Sequence, residues 1–404
     1  MNKLKGFLLF FPAINIFADS LFVFEPLRMP ITYLRGVLLV LVLFTFIIVY
    51  GKKIWRLNEA FVLIFFYLSV LLFFSSDIEI SIQKYIKYLS GIIMFPVFYL
   101  ITSNLKDLIK VKRSFLIVLF LFVINFVFAD LFNLGKGIYS DGQDNFNSGN
   151  LEGSSLYIGS LLLITAPLFY SFLKSYRSRI FYIILNISVV IILILSMRRT
   201  AIFIVLIAYF FITFFYRTKS SLYKYGIVIL TLTAITVSFN FDKIQKRIEL
   251  RSDRFEEGSL EKEGRYQETI LIFSNIFSFE DNSYSFFGRE LFNSAGNYGY
   301  PDPKRLIHAD YNIIISGSGL IGLYLYFLFN YKILLSFIRI RSIKGKSSLY
   351  YLFWVTSIVL LITSIAASFS SGLFAITYRS TLYGLLGTFF AVLNKKIIPL
   401  KKIT

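Results

Sequence analysis

The sequence contains no cysteine and a single histidine among its 404 residues. Without cysteine there is no disulfide, no thiol nucleophile and no thiolate metal ligand. One imidazole, His308, cannot build a histidine-rich metal site. Charge is scarce as well: 16% of residues are charged, against about 25% in soluble chains. In its place the chain is 56% hydrophobic and 19% aromatic. A water-soluble fold of this size has too much surface to hide so much apolar side chain. The apolar residues come in blocks that approach the roughly 20 residues needed to span a bilayer, not in the short alternating segments of a β-barrel. The expected fold is therefore an all-α polytopic membrane protein. The formal net charge of +19 would suit a nucleic-acid partner. Here, however, the basic residues sit in short clusters between apolar blocks, which is a topology signal and excludes that reading.

Twelve spans are expected, near 6–24, 34–50, 59–76, 86–103, 114–134, 154–173, 180–196, 200–216, 225–240, 312–331, 349–371 and 375–393. The first is read as a retained helix, because Pro12 and Asp19 interrupt it and no small-residue cleavage site follows. Alternate connections separate by charge. One set holds Lys3/Lys5, Lys52/Lys53/Arg56, Lys106/Lys110/Lys112/Arg113, Lys174/Arg177/Arg179, Arg217/Lys219/Lys224, Arg339/Arg341/Lys344/Lys346 and the tail Lys395/Lys396/Lys401/Lys402. The positive-inside rule puts that set, and both termini, in the cytoplasm. Residues 1–240 then carry spans one to nine, 241–311 form a large outer loop, and 312–404 carry the last three spans and the tail.

The outer loop holds 13 of the 23 acidic residues and 10 of the 42 basic ones, and loops of this length usually have a purpose. Its charged first third, Asp242 to Glu263, reads as a solvated segment. Arg265, Tyr266, Gln267 and Glu268 then lead into Ile270, Leu271, Phe273, Ile276 and Phe277, a helix with one apolar face. The loop closes on Lys304-Arg305-Leu306-Ile307-His308-Ala309-Asp310-Tyr311 and enters the next span through Gly317, Gly319 and Gly322. A second outward feature is the tight connection Ser196-Met197-Arg198-Arg199-Thr200-Ala201. Two arginines on that side run against the positive-inside rule, and a guanidinium fork suits phosphate; snorkelling to lipid headgroups is the alternative. Imidazole suits proton transfer near neutral pH, which marks His308 as a candidate base. Asp310 orients it or, more simply, caps the helix that follows.

Three motifs resemble the bacterial O-antigen polymerase and O-antigen ligase superfamily. Ser196-Met197-Arg198-Arg199-Thr200-Ala201 resembles that family's arginine turn and maps the motif arginine onto Arg199. Gly264-Arg265, with Phe287-Gly288 beyond it, is similar to the family's Gly-Arg segment. His308-Ala309-Asp310-Tyr311, followed by Gly319-Leu320-Ile321-Gly322-Leu323, resembles its His-Asn-x-Tyr/Phe-Leu and Gly-Leu-Ile-Gly signature, with Ala309 where the family often has Asn. The resemblance covers roughly residues 190–390 and the overall plan of spans.

The resemblance implies a membrane glycosyltransferase of the inner membrane that joins oligosaccharides carried on undecaprenyl diphosphate at the periplasmic face. No cofactor and no metal are expected. His308 would act as general base, with Arg199 and Arg265 on the diphosphate. Arg198, Arg289, Arg305 and Asp310 would assist in binding donor and acceptor, and Glu268 and Asp310 are fallback bases. Partners are the lipid-linked donor and acceptor, the bilayer and a chain-length regulator. Ligation to lipid A core is the alternative outcome. Transport of lipid-linked sugars is a second alternative, and it would require polar groups at mid-membrane or broken helices.

Overall fold

The computed structural model describes residues 2–21, 25–132, 156–195, 199–215, 264–292, 307, 309–344, 348–368 and 375–398, with isolated positions between 231 and 245. Every described element is a helix. In chain order these are α1 (Asn2–Leu9), α2 (Phe11–Ser20), α3 (Glu25–Leu57), α4 (Glu59–Phe73), α5 (Ile78–Ile92) and α6 (Met94–Ile101). They continue as α7 (Leu105–Leu131), α8 (Tyr157–Tyr170), α9 (Tyr176–Leu195), α10 (Arg199–Phe215) and α11 (Gly264–Phe277). The last four are α12 (Asn282–Phe287), α13 (Asp310–Lys344), α14 (Ser348–Ala367) and α15 (Ile376–Asn394).

Six described helices are long and apolar enough to cross a membrane, and three more are apolar but shorter. The apolar side chains do not all turn inward. Along α3, Tyr33, Leu34, Val37, Leu41, Ile48 and Val49 stay exposed, a continuous greasy face that water would penalise and lipid would not. Where helices meet, small residues let backbones approach, as expected when the solvent is itself apolar. A side chain at Gly387 of α15 would run into the carbonyl of Phe95 on α6, and one at Gly159 of α8 would meet Leu193 of α9 at 3.1 Å.

Several expected spans are redrawn. Span 6–24 is two short helices, α1 and α2, parted at Phe10 with Pro12 in the first turn of the second. Span 34–50 lies within the 33-residue α3. Span 86–103 begins eight residues earlier than expected, because Asp77 caps α5 by accepting from the Ile80 N–H at 3.1 Å. Span 225–240 lies outside the described residues, apart from isolated positions.

The largest departure is in span 312–331. On one straight helix Tyr311 and Phe327 would sit about 24 Å apart, yet their rings stack at 5.7 Å, and Tyr311 also meets Tyr326 at 6.2 Å. The chain reverses at Gly319, whose φ of 62° and ψ of −167° are non-helical and in practice open to glycine alone. Residues 310–318 form one arm of a helical hairpin and 320–344 the other, so the chain arriving at Asp310 is already inside the bundle. The carbonyls released by the break are not wasted: Ser316 accepts from the Arg289 N–H at 2.8 Å and Ser318 from the Tyr67 hydroxyl at 2.7 Å.

The bundle has two chemically different ends. At one, Lys5 pairs with Asp107 at 2.7 Å, Asn394 donates to the Tyr99 hydroxyl at 2.9 Å, and the Lys395 ammonium donates to the carbonyls of Tyr99 and Thr102. Burial, together with the like charges of Lys5 and Lys53, pulls the Lys395 amine down to about 8, against the nearby carboxylate of Asp107. Its acylation by an amine-selective reagent is therefore expected to switch on with a midpoint near pH 8. A midpoint at the ordinary lysine value, about 10.4, would contradict this environment. The opposite end carries the hairpin tip and the cluster described next.

Candidate functional site

Arg379, in the first turn of α15, is 1% exposed. A bare guanidinium at such a position would cost several kcal/mol, so its partners decide whether it is tolerated. Its Nη2 donates to Asp310 Oδ2 at 3.1 Å and to Ser368 Oγ at 2.8 Å, and its Nη1 to the Ser364 carbonyl at 3.2 Å. Ser368 Oγ shares a hydrogen bond of 2.9 Å with the Tyr326 hydroxyl, and its carbonyl accepts from the Asp310 N–H at 2.9 Å. The first turn of α15, the end of α14 and both arms of the α13 hairpin thus meet in one network. About 22 Å of helix separates Arg379 from Asn394 at the far end of α15, which places the network toward the hairpin end of the bundle.

A second pair flanks the first. Asp19 of α2 pairs with Arg35 of α3 and accepts from the Thr377 hydroxyl at 2.5 Å. Asn15 donates to Ser380 at 3.0 Å. One turn of α15 therefore gathers α2 and α3 through Thr377 and Ser380, and α13 and α14 through Arg379. Tyr378, between the two, lies under the Arg379 guanidinium and edge-on to Tyr157 of α8 at 5.9 Å.

The loop-derived helices close over the same end. Glu268 of α11 is 2% exposed. Its Oε1 accepts from Asn312 Nδ2 at 3.0 Å and from the Ala309 N–H at 3.4 Å, and Asn312 also donates to Thr269 at 2.9 Å. At the other end of α11, the Ile276 carbonyl accepts from Ser285 of α12 at 2.6 Å. α11 thus runs from the hairpin tip down to the level of residues 309–312, with its first turn, which includes Arg265, at the lower end. Beyond α12, Gly288 adopts a φ of 81° with its Cα against the hairpin backbone at Ser318. Glu290 Oε1 then accepts from Ser76 Oγ at 3.0 Å and the Asp77 N–H at 2.9 Å, locking the segment onto the end of α4.

The residues singled out from sequence fall as follows. Arg265 lies in the first turn of α11, one turn before Glu268. Arg199 begins α10, at the bundle end where Leu193 meets Gly159, two residues past Tyr157. Arg289 is exposed at the hairpin tip, held there by its backbone. Arg198, Arg305 and His308 lie outside the described residues. The neighbours of His308, Ile307 and Ala309, are both buried. Asp310 is a partner of Arg379, and its carboxylate and that of Glu268 are engaged in internal bonds. The structure therefore brings the Arg265 turn and the chain around His308 to one level, and puts the start of α10 at the same end of the bundle.

Sequence reasoning missed Arg379, Arg35, Tyr326, Tyr378 and Ser368. Nor did it show the break at Gly319 inside the expected span 312–331. A signal was present: a lone arginine in an apolar block, with tyrosines at 378 and 383. No protein-family model matches the chain, and no curated protein matches it.

Proposed function

We propose that the protein is a membrane glycosyltransferase that polymerises oligosaccharide units carried on undecaprenyl diphosphate, in a twelve-span bundle with the hairpin end facing the periplasm. The observation that carries this reading is the convergence at one end of an apolar bundle. There the Arg265 turn and the peptide that follows His308 are joined through Glu268, Ala309 and Asn312. The basic end that holds Lys5 and Lys395 would face the cytoplasm.

The chemistry is a single displacement. An acceptor hydroxyl attacks the anomeric carbon of the donor, the bond from that carbon to the phosphate oxygen breaks, and undecaprenyl diphosphate leaves with the electron pair. His308 takes the hydroxyl proton, and the anomeric configuration inverts. Negative charge develops on the departing diphosphate, where fixed arginines act most strongly because they need not reorganise. Arg199 and Arg265 fill that role, with Arg198, Arg289 and Arg305 assisting in binding.

His308→Ala is expected to reduce chain extension about a hundredfold or more, as loss of a general base does. Arg199→Ala and Arg265→Ala are each expected to reduce it by about 10²–10³. The readout is surface polysaccharide on a gel, from a strain deleted for the gene and complemented with each variant. A ladder collapsed to one repeat on the core identifies a polymerase, and loss of every attached repeat identifies the ligase. Normal ladders from stably inserted His308→Ala and Arg199→Ala proteins would refute the assignment.

Transport of lipid-linked sugars gains support from the helix break at Gly319 and the buried Asp–Arg pairs, since transporters build sites from such parts. In proteoliposomes, movement of a lipid-linked oligosaccharide between leaflets without any new glycosidic bond would favour that reading.

A further inference from the structure

We propose that Arg379 is a positioning residue which, acting through Asp310, fixes residues 309–312, the peptide adjoining His308, while Glu268 fixes the same residues from a second element. The inference rests on the reading above only in giving His308 the proton-transfer step.

Arg379 has no surface to offer a substrate. It is 1% exposed, and three bonds from its guanidinium go to Asp310, Ser368 and the Ser364 carbonyl. What it does reach is the arm of the hairpin that begins two residues after His308. Each residue following His308 is tied down. The Ala309 N–H goes to Glu268, the Asp310 N–H to the Ser368 carbonyl, the Tyr311 hydroxyl to the Ile365 carbonyl at 2.9 Å, and the Asn312 amide to Glu268 and Thr269.

These ties come from two directions. α14 and α15 belong to the bundle, whereas α11 belongs to the loop that carries Arg265. Residues 309–312 are held between them, so the register of the chain adjoining His308 against the Arg265 turn depends on both. Asp310 is the hinge of this arrangement, because its backbone meets α14 while its side chain meets α15. The fold-back at Gly319 gives such a clamp a purpose. The break parts the arm 310–318 from the helix that follows, so ties at its far end add to the packing of Ile313, Ile314 and Ile315 in holding it against the bundle.

The absence of native cysteine makes the test direct. His308→Cys is made alone and combined with Arg379→Gln or Asp310→Asn, and its reaction rate with a membrane-impermeant thiol reagent is measured on the monodisperse, detergent-purified protein. Ser278→Cys, at an exposed site on the loop, is the control. Releasing the clamp is expected to raise labelling at 308 by about tenfold, as for a locally opened segment, with labelling at 278 unchanged. In the chain that keeps His308, Asp310→Asn is expected to lower kcat by about ten- to a hundredfold while KM for the lipid-linked donor stays within about twofold. Glu268→Gln should reproduce both effects. Should Arg379→Gln not accumulate, the isosteric Asp310→Asn reads the same contact.

Unchanged labelling at 308 in folded variants would overturn the positioning role. Changed labelling with unchanged kcat would instead leave the clamp standing and remove His308 from the chemistry.

Discussion

Replacing Gly319 by alanine is expected to destabilise the protein by about 3 kcal/mol or more. Two independent effects combine. The φ of 62° with ψ of −167° is a region closed to residues with a Cβ. The added methyl would also fall on the carbonyl carbon and oxygen of Phe286, backbone atoms of a segment that Glu290 pins to the end of α4. Neither the hairpin nor its neighbour can yield without giving up the bonds from Tyr67 to Ser318 and from Arg289 to Ser316. Gly36→Ala in α3 is the matched control, since nothing lies within 4 Å of the new methyl and alanine is the better helix former by about 1 kcal/mol. Fluorescence-detected size exclusion after a temperature ramp should show the 319 variant lost well before wild type and the 36 variant at or above it. Equal survival of both alanine variants would mean that the chain does not reverse at Gly319.

Arg379→Leu is expected to produce the second large loss, about 3–5 kcal/mol, because it leaves the Asp310 carboxylate buried without its cation. The sign of the combined variant is the informative part. Asp310→Asn added to Arg379→Leu removes the stranded charge, so the double variant should be more stable than Arg379→Leu alone, with a coupling of about 1–3 kcal/mol. Strictly additive losses in the thermal survival assay would show that the two side chains do not act as a pair.

What the sequence disclosed follows from which forces are local. Apolar blocks, helix ends and the charge of alternate connections are properties of contiguous residues, and the helices lie where such blocks are. Asp77 illustrates the limit of a few residues: its capping role is local, yet it displaced a boundary by a turn or two because the hydrophobic block alone set the expectation. Gly319 illustrates a deeper limit. A glycine inside an apolar run is compatible with a continuous helix, and hydropathy carries no sense of direction, so the reversal is invisible in it although Gly317, Gly319 and Gly322 stand close together. Arg379 was illegible for another reason. A single arginine near the end of a span can snorkel, and what makes it interior is a carboxylate 69 residues away in sequence. Asp310 was placed correctly on the threshold of a helix, but its partner was not deducible from anything near it.

The dependence of so many polar groups on the first turn of α15 has a consequence for biosynthesis. Asp19 lies 358 residues before Thr377, and Asp310 lies 69 residues before Arg379. At about 5–20 residues per second, the ribosome needs roughly 20–70 seconds to go from the first carboxylate to its hydroxyl partner. Throughout that interval the growing chain must shelter unfinished polar contacts in lipid or hand them to an insertion chaperone. A nascent chain truncated before residue 376 would lack both partners, leaving the Asp310 carboxylate without its arginine and Asp19 without the Thr377 hydroxyl.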